Sequence, residues 1–202
     1  MMMKKKIKIV IGIVIALAVC FLYAHIEKNN VIYDRTVDDS EYKQTGVIES
    51  GNLNQSFVCK EDLLKGVNVK CVIVGDVSNV KIAYKLVNTG TGEEYTGTVD
   101  AKKLKNNKYY EFGMEQISGC ENQEFEFILE EKGATAENGI SFYITPQSEK
   151  NTVLNVKGNP TEGTVIMKTV SYRFDVETFV VLFACVAFIA GFMRMLYGLF
   201  NK

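Results

Sequence analysis

The sequence has no tryptophan, one histidine and only two prolines in 202 residues. A single histidine excludes chemistry that needs two imidazoles. The absence of a CxxC motif or a Cys/His cluster argues against a zinc site or a cysteine nucleophile. The chain also lacks a cationic excess, because 23 Lys and Arg residues stand against 24 Asp and Glu residues. A nucleic-acid-binding protein presents a basic face to phosphates, so that class is excluded. We therefore predict no metal, no cofactor and no nucleic-acid partner.

The charges are unevenly distributed along the chain. All 24 carboxylates lie between Glu27 and Glu177 together with 17 of the 23 cations, so this middle segment has a net charge of −7. The other six cations lie near the two ends, where the long apolar runs also occur. This pattern is typical of a polar domain held between two membrane segments.

Two apolar runs are candidates for membrane spans. The run from Ile7 to Ala24 is interrupted only by Lys8, and at about 1.5 Å per residue it crosses most of a hydrocarbon core. The run from Phe179 to Phe200 contains one charge, Arg194, which is near enough to its end to reach the headgroups. We predict transmembrane helices at residues 7–25 and 178–200, with the lipid bilayer as a partner.

The flanking charges predict the orientation of both spans. Four lysines (Lys4, Lys5, Lys6 and Lys8) begin the first span, and two cations (Arg194 and Lys202) mark the end of the second. The positive-inside rule then places both termini, residues 1–6 and 201–202, in the cytoplasm. We predict a two-pass plasma-membrane protein with an extracytoplasmic central domain.

The first span has two other interpretations, a cleaved signal peptide and a lipoprotein signal. The best cleavage site ends at Ala24 but has the bulky Leu22 where a small residue is preferred. A lipoprotein motif would use Cys20, but Val19 stands where a small residue is expected. A membrane anchor is therefore the favoured interpretation.

Small residues recur four apart in both spans and would allow close helix approach. One hypothesis is that the helices pack on each other, on a second copy, or on a larger membrane protein. The alternative is chance, since small residues are common in membrane helices. The candidate packing residues are Gly12, Ala16, Ala187 and Gly191.

The middle of the chain favours β-structure. Residues 26–44 are polar and without a sustained period, which predicts a stalk. Residues 45–175 then show period-two alternation, first in Val67–Ile73 and next in Val80–Leu86. We predict that these two strands are adjacent, and that the glycine-containing stretch Asn88–Gly92 forms the next tight turn.

Further strands follow at intervals typical of an antiparallel sandwich. An immunoglobulin domain is less favoured because the core tryptophan is missing and the cysteine spacing differs. The predicted fold class is an all-β extracytoplasmic domain, an antiparallel β-sandwich of jelly-roll-like type, flanked by two transmembrane α-helices. The additional predicted strands are Gly46–Glu49, Gln55–Cys59, Glu94–Val99, Tyr109–Met114, Glu124–Leu129, Ile140–Thr145, Thr152–Val156 and Val165–Phe174, with a helical turn at Ala101–Lys105.

Residues 46–145 resemble a recurring extracytoplasmic β-sandwich module of poorly characterised membrane proteins from Gram-positive anaerobes. The module resembles jelly-roll carbohydrate-binding folds and often accompanies cell-surface polysaccharide synthesis. The resemblance implies fold and compartment, and no catalytic residue is carried over from it. The stretches that carry it include Gln55–Cys59, Leu64–Val67, Val80–Leu86, Thr91–Glu93, Ala101–Leu104, Asn107, Tyr109–Phe112 and Gly139–Tyr143.

Aromatic side chains provide the candidate binding residues. The chain has ten Tyr and twelve Phe, and exposed rings can stack on the apolar faces of sugars. The alternative is that these rings pack in the core or pair across strands. The candidates for a glycan site are Tyr95, Tyr109, Tyr110 and Tyr143.

Acidic residues suggest two further hypotheses, both less favoured. Asp34, Asp38, Asp39 and Glu41 could hold Ca²⁺, but their spacing differs from an EF-hand, and a solvated acidic segment explains them better. A carboxylate pair among residues 93–94, 124–126 or 130–131 could hydrolyse glycosides. Alternation places Glu124 and Glu126 on the outer face of their strand, which argues against a shared site.

Three cysteines lie outside the predicted spans, at Cys59, Cys71 and Cys120. Cys59 and Cys71 could form a disulfide that closes a short loop. The favoured alternative is that all three are buried thiols that pack as small hydrophobic side chains.

These observations favour a non-enzymatic, membrane-anchored surface protein whose sandwich binds a glycan or a partner protein in cell-envelope polysaccharide assembly. A second hypothesis is a structural accessory subunit that associates with a larger membrane enzyme or transporter through its helices. A third class, the polysaccharide chain-length determinants, shares the two terminal spans. It has a helix-rich outer domain and a Pro-rich segment before the second span, both of which this sequence lacks.

Overall fold

The computed structural model describes the backbone of residues 2–200 and the side chains of residue 7 and residues 10–200. The predicted cytoplasmic segments, 1–6 and 201–202, have side chains outside this range, as does Lys8. The chain divides into two compact units. We call Met1–Glu27 with Tyr172–Lys202 the helical unit, and Lys28–Ser171 the β unit.

Two long helices and twelve strands make up the described part of the chain. The 3₁₀ turns are Asp39–Glu41 and Ala101–Lys103, and the second confirms the predicted helical turn. The elements are α1 (Met2–Tyr23), β1 (His25–Val31), β2 (Lys43–Val47), β3 (Leu53–Val58), β4 (Leu64–Val74), β5 (Lys81–Asn88), β6 (Glu94–Asp100), β7 (Lys108–Ile117), β8 (Glu124–Lys132), β9 (Gly139–Ile144), β10 (Leu154–Val156), β11 (Asn159–Thr161), β12 (Met167–Phe174) and α2 (Val176–Phe200).

The strands form two six-stranded sheets, and the pairings between neighbours are antiparallel where their register is defined. Sheet A has the order β1-β12-β4-β9-β2, with β7 paired to β4. Sheet B has the order β11-β10-β3-β8-β5-β6. The prediction of an all-β antiparallel domain is therefore confirmed, and its jelly-roll refinement stays a prediction.

One apolar core lies between the sheets. Alternation in β8 buries Phe125, Phe127 and Leu129 and leaves Glu124 exposed, as the sequence predicts. Phe127 of sheet B meets Phe112 of sheet A with ring centroids 5.8 Å apart. Such aromatic contacts join the two inner faces, which is the packing of a β-sandwich.

The predicted pairing of the strands around Val67–Ile73 and Val80–Leu86 is wrong. The first belongs to β4 in sheet A and the second to β5 in sheet B. Both strands bury an apolar face in the same core, and alternation does not show from which side each one approaches. The next predicted turn is confirmed, because β5 and β6 pair on either side of Asn88–Gly92.

The structure shows a strand in the segment 26–44, where the sequence predicted a stalk. Most of β1 lies within that segment, and Ile32 donates its backbone N–H to the carbonyl of Met167 at 3.2 Å. Ser171 and Thr169 donate to carbonyls of the same segment through their hydroxyls. Its polar side chains had suggested a linker, but the backbone hydrogen bonds of an edge strand need no apolar alternation.

Only one helix among the described residues is long and apolar enough to cross a membrane. It is α2, with 25 residues and a mean hydropathy of 2.4. The described apolar part of α1 is shorter, Val10–Tyr23, and at about 1.5 Å per residue it covers only about 21 Å of a core about 30 Å thick. The expectation of two spans is therefore supported for α2 alone.

Candidate binding surface of tyrosine and lysine residues

Outward-facing positions of sheet A bring tyrosine and lysine side chains together. In the register of β4 and β7, Lys70 is opposite Tyr109, while the buried Val69 is opposite Tyr110. Because neighbouring residues in a strand face opposite sides, Lys70 and Tyr109 share the outer face. Tyr143 of β9 is on this face too, since the preceding Phe142 is buried in the core.

The segment between β1 and β2 adds two more tyrosines to this face. The Tyr33 hydroxyl lies 2.7 Å from the Tyr109 hydroxyl, a hydrogen bond in which either can donate. The Tyr33 and Tyr42 rings meet edge to face with centroids 6.2 Å apart. Tyr42 in turn lies 6.4 Å from the Tyr143 ring. The four tyrosines therefore form one continuous group.

Two lysines lie over the faces of these rings. Lys70 Nζ is 5.3 Å from the Tyr42 centroid and 5.0 Å from that of Tyr143. Lys168 Nζ of β12 is 4.2 Å from the Tyr109 centroid. All three are cation–π contacts, in which the ammonium is attracted to the negative ring face. We call the four tyrosines and two lysines the Tyr–Lys surface.

Lys70 also forms an ion pair within this surface. Its Nζ lies 3.6 Å from Asp39, whose side chain is 76% exposed, whereas the Lys70 side chain is only 16% exposed. The Lys70 side chain is therefore mostly buried among its neighbours, while its ammonium group stays close to the exposed carboxylate of Asp39. This arrangement fixes the position of one cation more firmly than a free surface lysine.

The phenols of Tyr42 and Tyr109 stay protonated at ordinary pH. Burial raises the pKa of Tyr42 strongly, and a hydrogen bond to Asp39 raises it further. Burial followed by the hydrogen bond to Tyr33 raises the pKa of Tyr109 in the same direction. Neutral hydroxyls can both donate and accept, so the surface offers hydrogen-bonding groups of both kinds beside apolar ring edges.

The structure brings together two of the four predicted binding tyrosines. Tyr109 and Tyr143 belong to the Tyr–Lys surface, and Tyr109 is 36% exposed. Tyr110 instead packs against Phe112 towards the core, with centroids 5.2 Å apart. Tyr95 lies on β6 of sheet B, where its hydroxyl is 3.2 Å from Glu93.

Sequence reasoning missed the other members of the surface. Lys70 and Lys168 alternate with buried neighbours in their strands, so their outward direction could have been read from the pattern. Tyr33 and Tyr42 fall within the predicted stalk. Their proximity to Tyr109 and Tyr143 depends on how that segment folds over the sheet, which local patterns do not show.

The acidic residues do not gather around a cation site. Asp34 accepts hydrogen bonds from Thr36, and Asp38 accepts them from Ser40, so each carboxylate stabilises its own turn. Within the described part of the chain, no three His, Cys, Asp or Glu side chains are grouped as a metal site would require. The calcium hypothesis gains no support there.

Three of the carboxylates considered for glycoside hydrolysis have partners within the fold. Glu131 points into the core, where its two oxygens accept the backbone N–H groups of Ile48 and Ile140 at 3.1 and 2.8 Å. Glu130, the next residue, takes the outer face and lies 4.0 Å from Lys132. Glu126 binds the Asn54 amide at 3.0 Å. Each of these three carboxylates therefore interacts with a neighbouring group of the fold.

Three of the four predicted helix-packing residues line an apolar cavity between α1 and α2 in the helical unit. The cavity has a volume of about 470 Å³, and its lining includes Gly12, Ala16 and Ala187. Gly191 is not part of the lining. A Cβ atom added at Gly12 would meet nothing within 4 Å, so there is open space beside this residue, and the role of the small residues in helix packing stays a prediction.

Comparison with known proteins adds no family to these observations. No protein-family model matches the chain, and no curated protein is significantly similar to it.

Proposed function

We propose that this chain is a two-pass membrane protein whose β unit is extracytoplasmic and binds cell-surface glycans through the Tyr–Lys surface. The role is non-enzymatic and belongs to cell-envelope polysaccharide assembly. The observation that carries the proposal is the convergence of four tyrosines and two lysines on one face of sheet A. The jelly-roll-like module suggested by the sequence agrees with this role.

The chemistry of the surface suits a sugar. A pyranose has an apolar C–H face and a rim of hydroxyls, so it needs ring surface and hydrogen-bonding groups side by side. Tyr109 provides exposed ring edge, and the linked hydroxyls of Tyr33 and Tyr109 can donate to or accept from the rim. The ammonium groups of Lys70 and Lys168 supply further donors.

The two-pass arrangement is supported by the geometry within the helical unit. Ala24, directly after α1, accepts the backbone N–H of Asp175, directly before α2, at 2.8 Å. Gly12 is twelve residues before Ala24, and Ala187 is twelve residues after Asp175, and both line the same cavity. The helices therefore run antiparallel from a common level. If α2 crosses the membrane, α1 lies in it as well.

The length of this hairpin suits a bilayer. From Asp175 to Arg194 there are 19 residues, or about 28 Å, close to the thickness of about 30 Å of a hydrocarbon core. By the same register, Lys5 is level with Arg194. Near Ala24, the rings of Phe21, His25 and Phe174 pack with centroids 4.6 to 5.3 Å apart. An aromatic cluster at that level fits the boundary between bilayer and water.

Binding of glycans to the full chain in lipid nanodiscs tests the proposal. The probes are purified Gram-positive cell-wall and capsular polysaccharides, measured by calorimetry. We expect saturable binding that weakens at least tenfold in Tyr109→Ala and Tyr143→Ala. The matched control is Tyr95→Ala, on the other sheet, which should bind as the unmodified chain does. A folded chain that binds none of these glycans, or variants that bind equally well, would contradict the proposal.

Protease protection tests the topology separately. In right-side-out membrane vesicles, added protease should digest the β unit and spare tags placed at both termini. Digestion of a tag at the N-terminus would show that α1 does not cross.

The cavity between α1 and α2 favours a second candidate function, that of an accessory subunit bound to a larger membrane protein. Gly12→Leu and Ala187→Leu fill the cavity and should abolish co-purification of such a partner under this hypothesis. Under the glycan hypothesis they leave binding by the β unit unchanged. Gly191→Leu, outside the lining, is the matched control.

A further inference from the structure

Two cysteines from distant parts of the sequence lie at the same end of the β unit. Cys59 directly follows β3, and Cys120 lies in the turn between β7 and β8. The Cys59 backbone N–H donates to the carbonyl of Gln123, and the Cys59 carbonyl accepts the N–H of Asn122, both at 2.9 Å. Residues after β3 are therefore held directly against the turn that contains Cys120.

Two more backbone hydrogen bonds bring Cys120 back towards Cys59. Cys120 donates its N–H to the carbonyl of Asp62 at 2.9 Å, and its own carbonyl accepts the N–H of Gln123 at 3.0 Å. The second bond closes a tight turn, which keeps Cys120 near the residue paired with Cys59. Segments 59–62 and 120–123 thus close against each other at both ends.

Both thiols are buried in the same core. Cys59 is 0% exposed and Cys120 is 1% exposed. The pKa of Cys120 is raised to about 11, first by burial and next by the charge that the neighbouring Cys59 would carry. This influence of one thiol on the other agrees with the proximity that the backbone hydrogen bonds of segments 59–62 and 120–123 establish.

Cys71 is at the other end of the sandwich. It lies opposite Lys108, the first residue of β7, whereas Cys120 comes after Ile117, the last residue of that strand. A strand of 10 residues spans about 30 Å at about 3.3 Å per residue. Disulfide geometry needs Cα atoms within about 7 Å. The pairing of Cys59 with Cys71 considered from the sequence is therefore excluded.

We propose that Cys59 and Cys120, which are free thiols in this structure, are a disulfide-forming pair. The oxidant is a disulfide, such as oxidised glutathione. One cysteine thiolate attacks it, forms a mixed disulfide and releases one glutathione thiolate. The second cysteine then attacks the protein sulphur of the mixed disulfide and releases the second glutathione. Two thiol protons pass to solvent, and the two electrons reduce one glutathione disulfide.

The new bond would tie β3 to the turn between β7 and β8. The closed loop, from Cys59 to Cys120, is about 60 residues long, and cross-links of that span restrict the unfolded chain strongly. For a chain of this size we expect Tm to rise by about 5–15 °C on oxidation. The proposal does not depend on glycan binding or on the membrane topology.

The test refolds the full chain in detergent in a buffer of reduced and oxidised glutathione at pH 8, where more thiolate is present. Refolding exposes both thiols, so their burial in the native state does not block the reaction. Free thiols are then alkylated, and peptides of the monomeric fraction are analysed by mass spectrometry without reduction. We expect a peptide that links Cys59 to Cys120, with free thiols at Cys71 and Cys185, and a Tm that falls when reductant is added.

Matched variants make each outcome decisive. Cys71→Ser should keep the cross-link and the effect of reductant on Tm, whereas Cys59→Ser and Cys120→Ser should lose both. Circular dichroism verifies that each refolded variant has β-structure. A refolded chain with all five thiols alkylated, or one that links Cys71 to either partner, would overturn the proposal.

Discussion

Glu131 is a buried carboxylate that connects the two sheets, and its replacement by glutamine should destabilise the protein. It lies on β8 of sheet B at a core-facing position and is 6% exposed. Its oxygens separately accept N–H groups of Ile140 in sheet A and Ile48, just beyond β2. Glutamine has one acceptor oxygen, so its amide N–H₂ must face one of these N–H donors. A buried donor without a partner costs about 1–3 kcal/mol, which is the loss we expect for Glu131→Gln near pH 5.

The loss should depend on pH with a defined sign. Burial raises the pKa of Glu131, and the two backbone N–H groups oppose this only in part. Between the ordinary pKa and the raised one, the folded state binds more protons than the unfolded state. The contribution of Glu131 to the stability of the unmodified chain is therefore fully present below this window and falls as pH rises through it. Because glutamine does not titrate, the gap between the two proteins should narrow from pH 5 to pH 8.

Urea denaturation of the full chain in detergent measures this effect. Circular dichroism and tyrosine fluorescence report unfolding, since the chain has no tryptophan. The control is Glu130→Gln, whose native side chain is 53% exposed and which should change stability by less than about 0.5 kcal/mol. Equal stability of the Glu131→Gln protein at pH 5, or a gap that widens with rising pH, would refute the reasoning.

Two further substitutions test the packing between the sheets. Gly97→Ala places a Cβ against the ring of Tyr84, whose hydroxyl donates to the Gly113 carbonyl on the other sheet, and should cost about 1–3 kcal/mol by thermal or urea denaturation. Its control is Gly113→Ala, where the nearest atom is a flexible carboxylate oxygen 3.6 Å away, so equal losses would contradict this account. Phe127→Ala empties a fully buried site and should cost about 3–5 kcal/mol in the same assay, and a loss below 1 kcal/mol would show that Phe127 does not hold the core together.

Local patterns located the strands with considerable success. The alternation of Phe125, Phe127 and Leu129 predicted both the strand and its buried face, and the glycines at 90 and 92 predicted the turn after β5. These features depend on neighbours a few residues apart. A period of two and a tolerance for positive φ are properties of a short segment, so they are visible in the sequence.

The proline at 160 shows that local patterns do not predict whether a strand is central or at an edge of its sheet. Pro160 lies within the short β11, at the edge of sheet B. An edge strand has one side without ladder partners, so the missing N–H of proline is tolerated there. Whether a strand is central or at an edge depends on the whole sheet.

For the membrane segments too, the sequence identified one part of the arrangement and only the tertiary structure showed the rest. Composition identified α2, because an uninterrupted apolar run needs no tertiary information. The hydrogen bond between Ala24 and Asp175 shows which residues of α1 lie beside which residues of α2. It joins residues about 150 positions apart, so the sequence did not reveal it. The sequence suggested that small residues allow close helix approach, and three of them line an apolar cavity between α1 and α2, so their role in packing stays a prediction.

By itself, the sequence determined where most of the strands and the apolar helices lie and which strand positions are apolar, because these follow from short-range periodicity and hydrophobicity. Tertiary structure alone decided which sheet each strand joins. It also decided that Tyr33 meets Tyr109, that Glu131 spans two sheets, and that Cys59 lies near Cys120 instead of Cys71. Those contacts depend on register and on closure of long loops. Many pairings are compatible with one local pattern, and packing of the shared core selects among them.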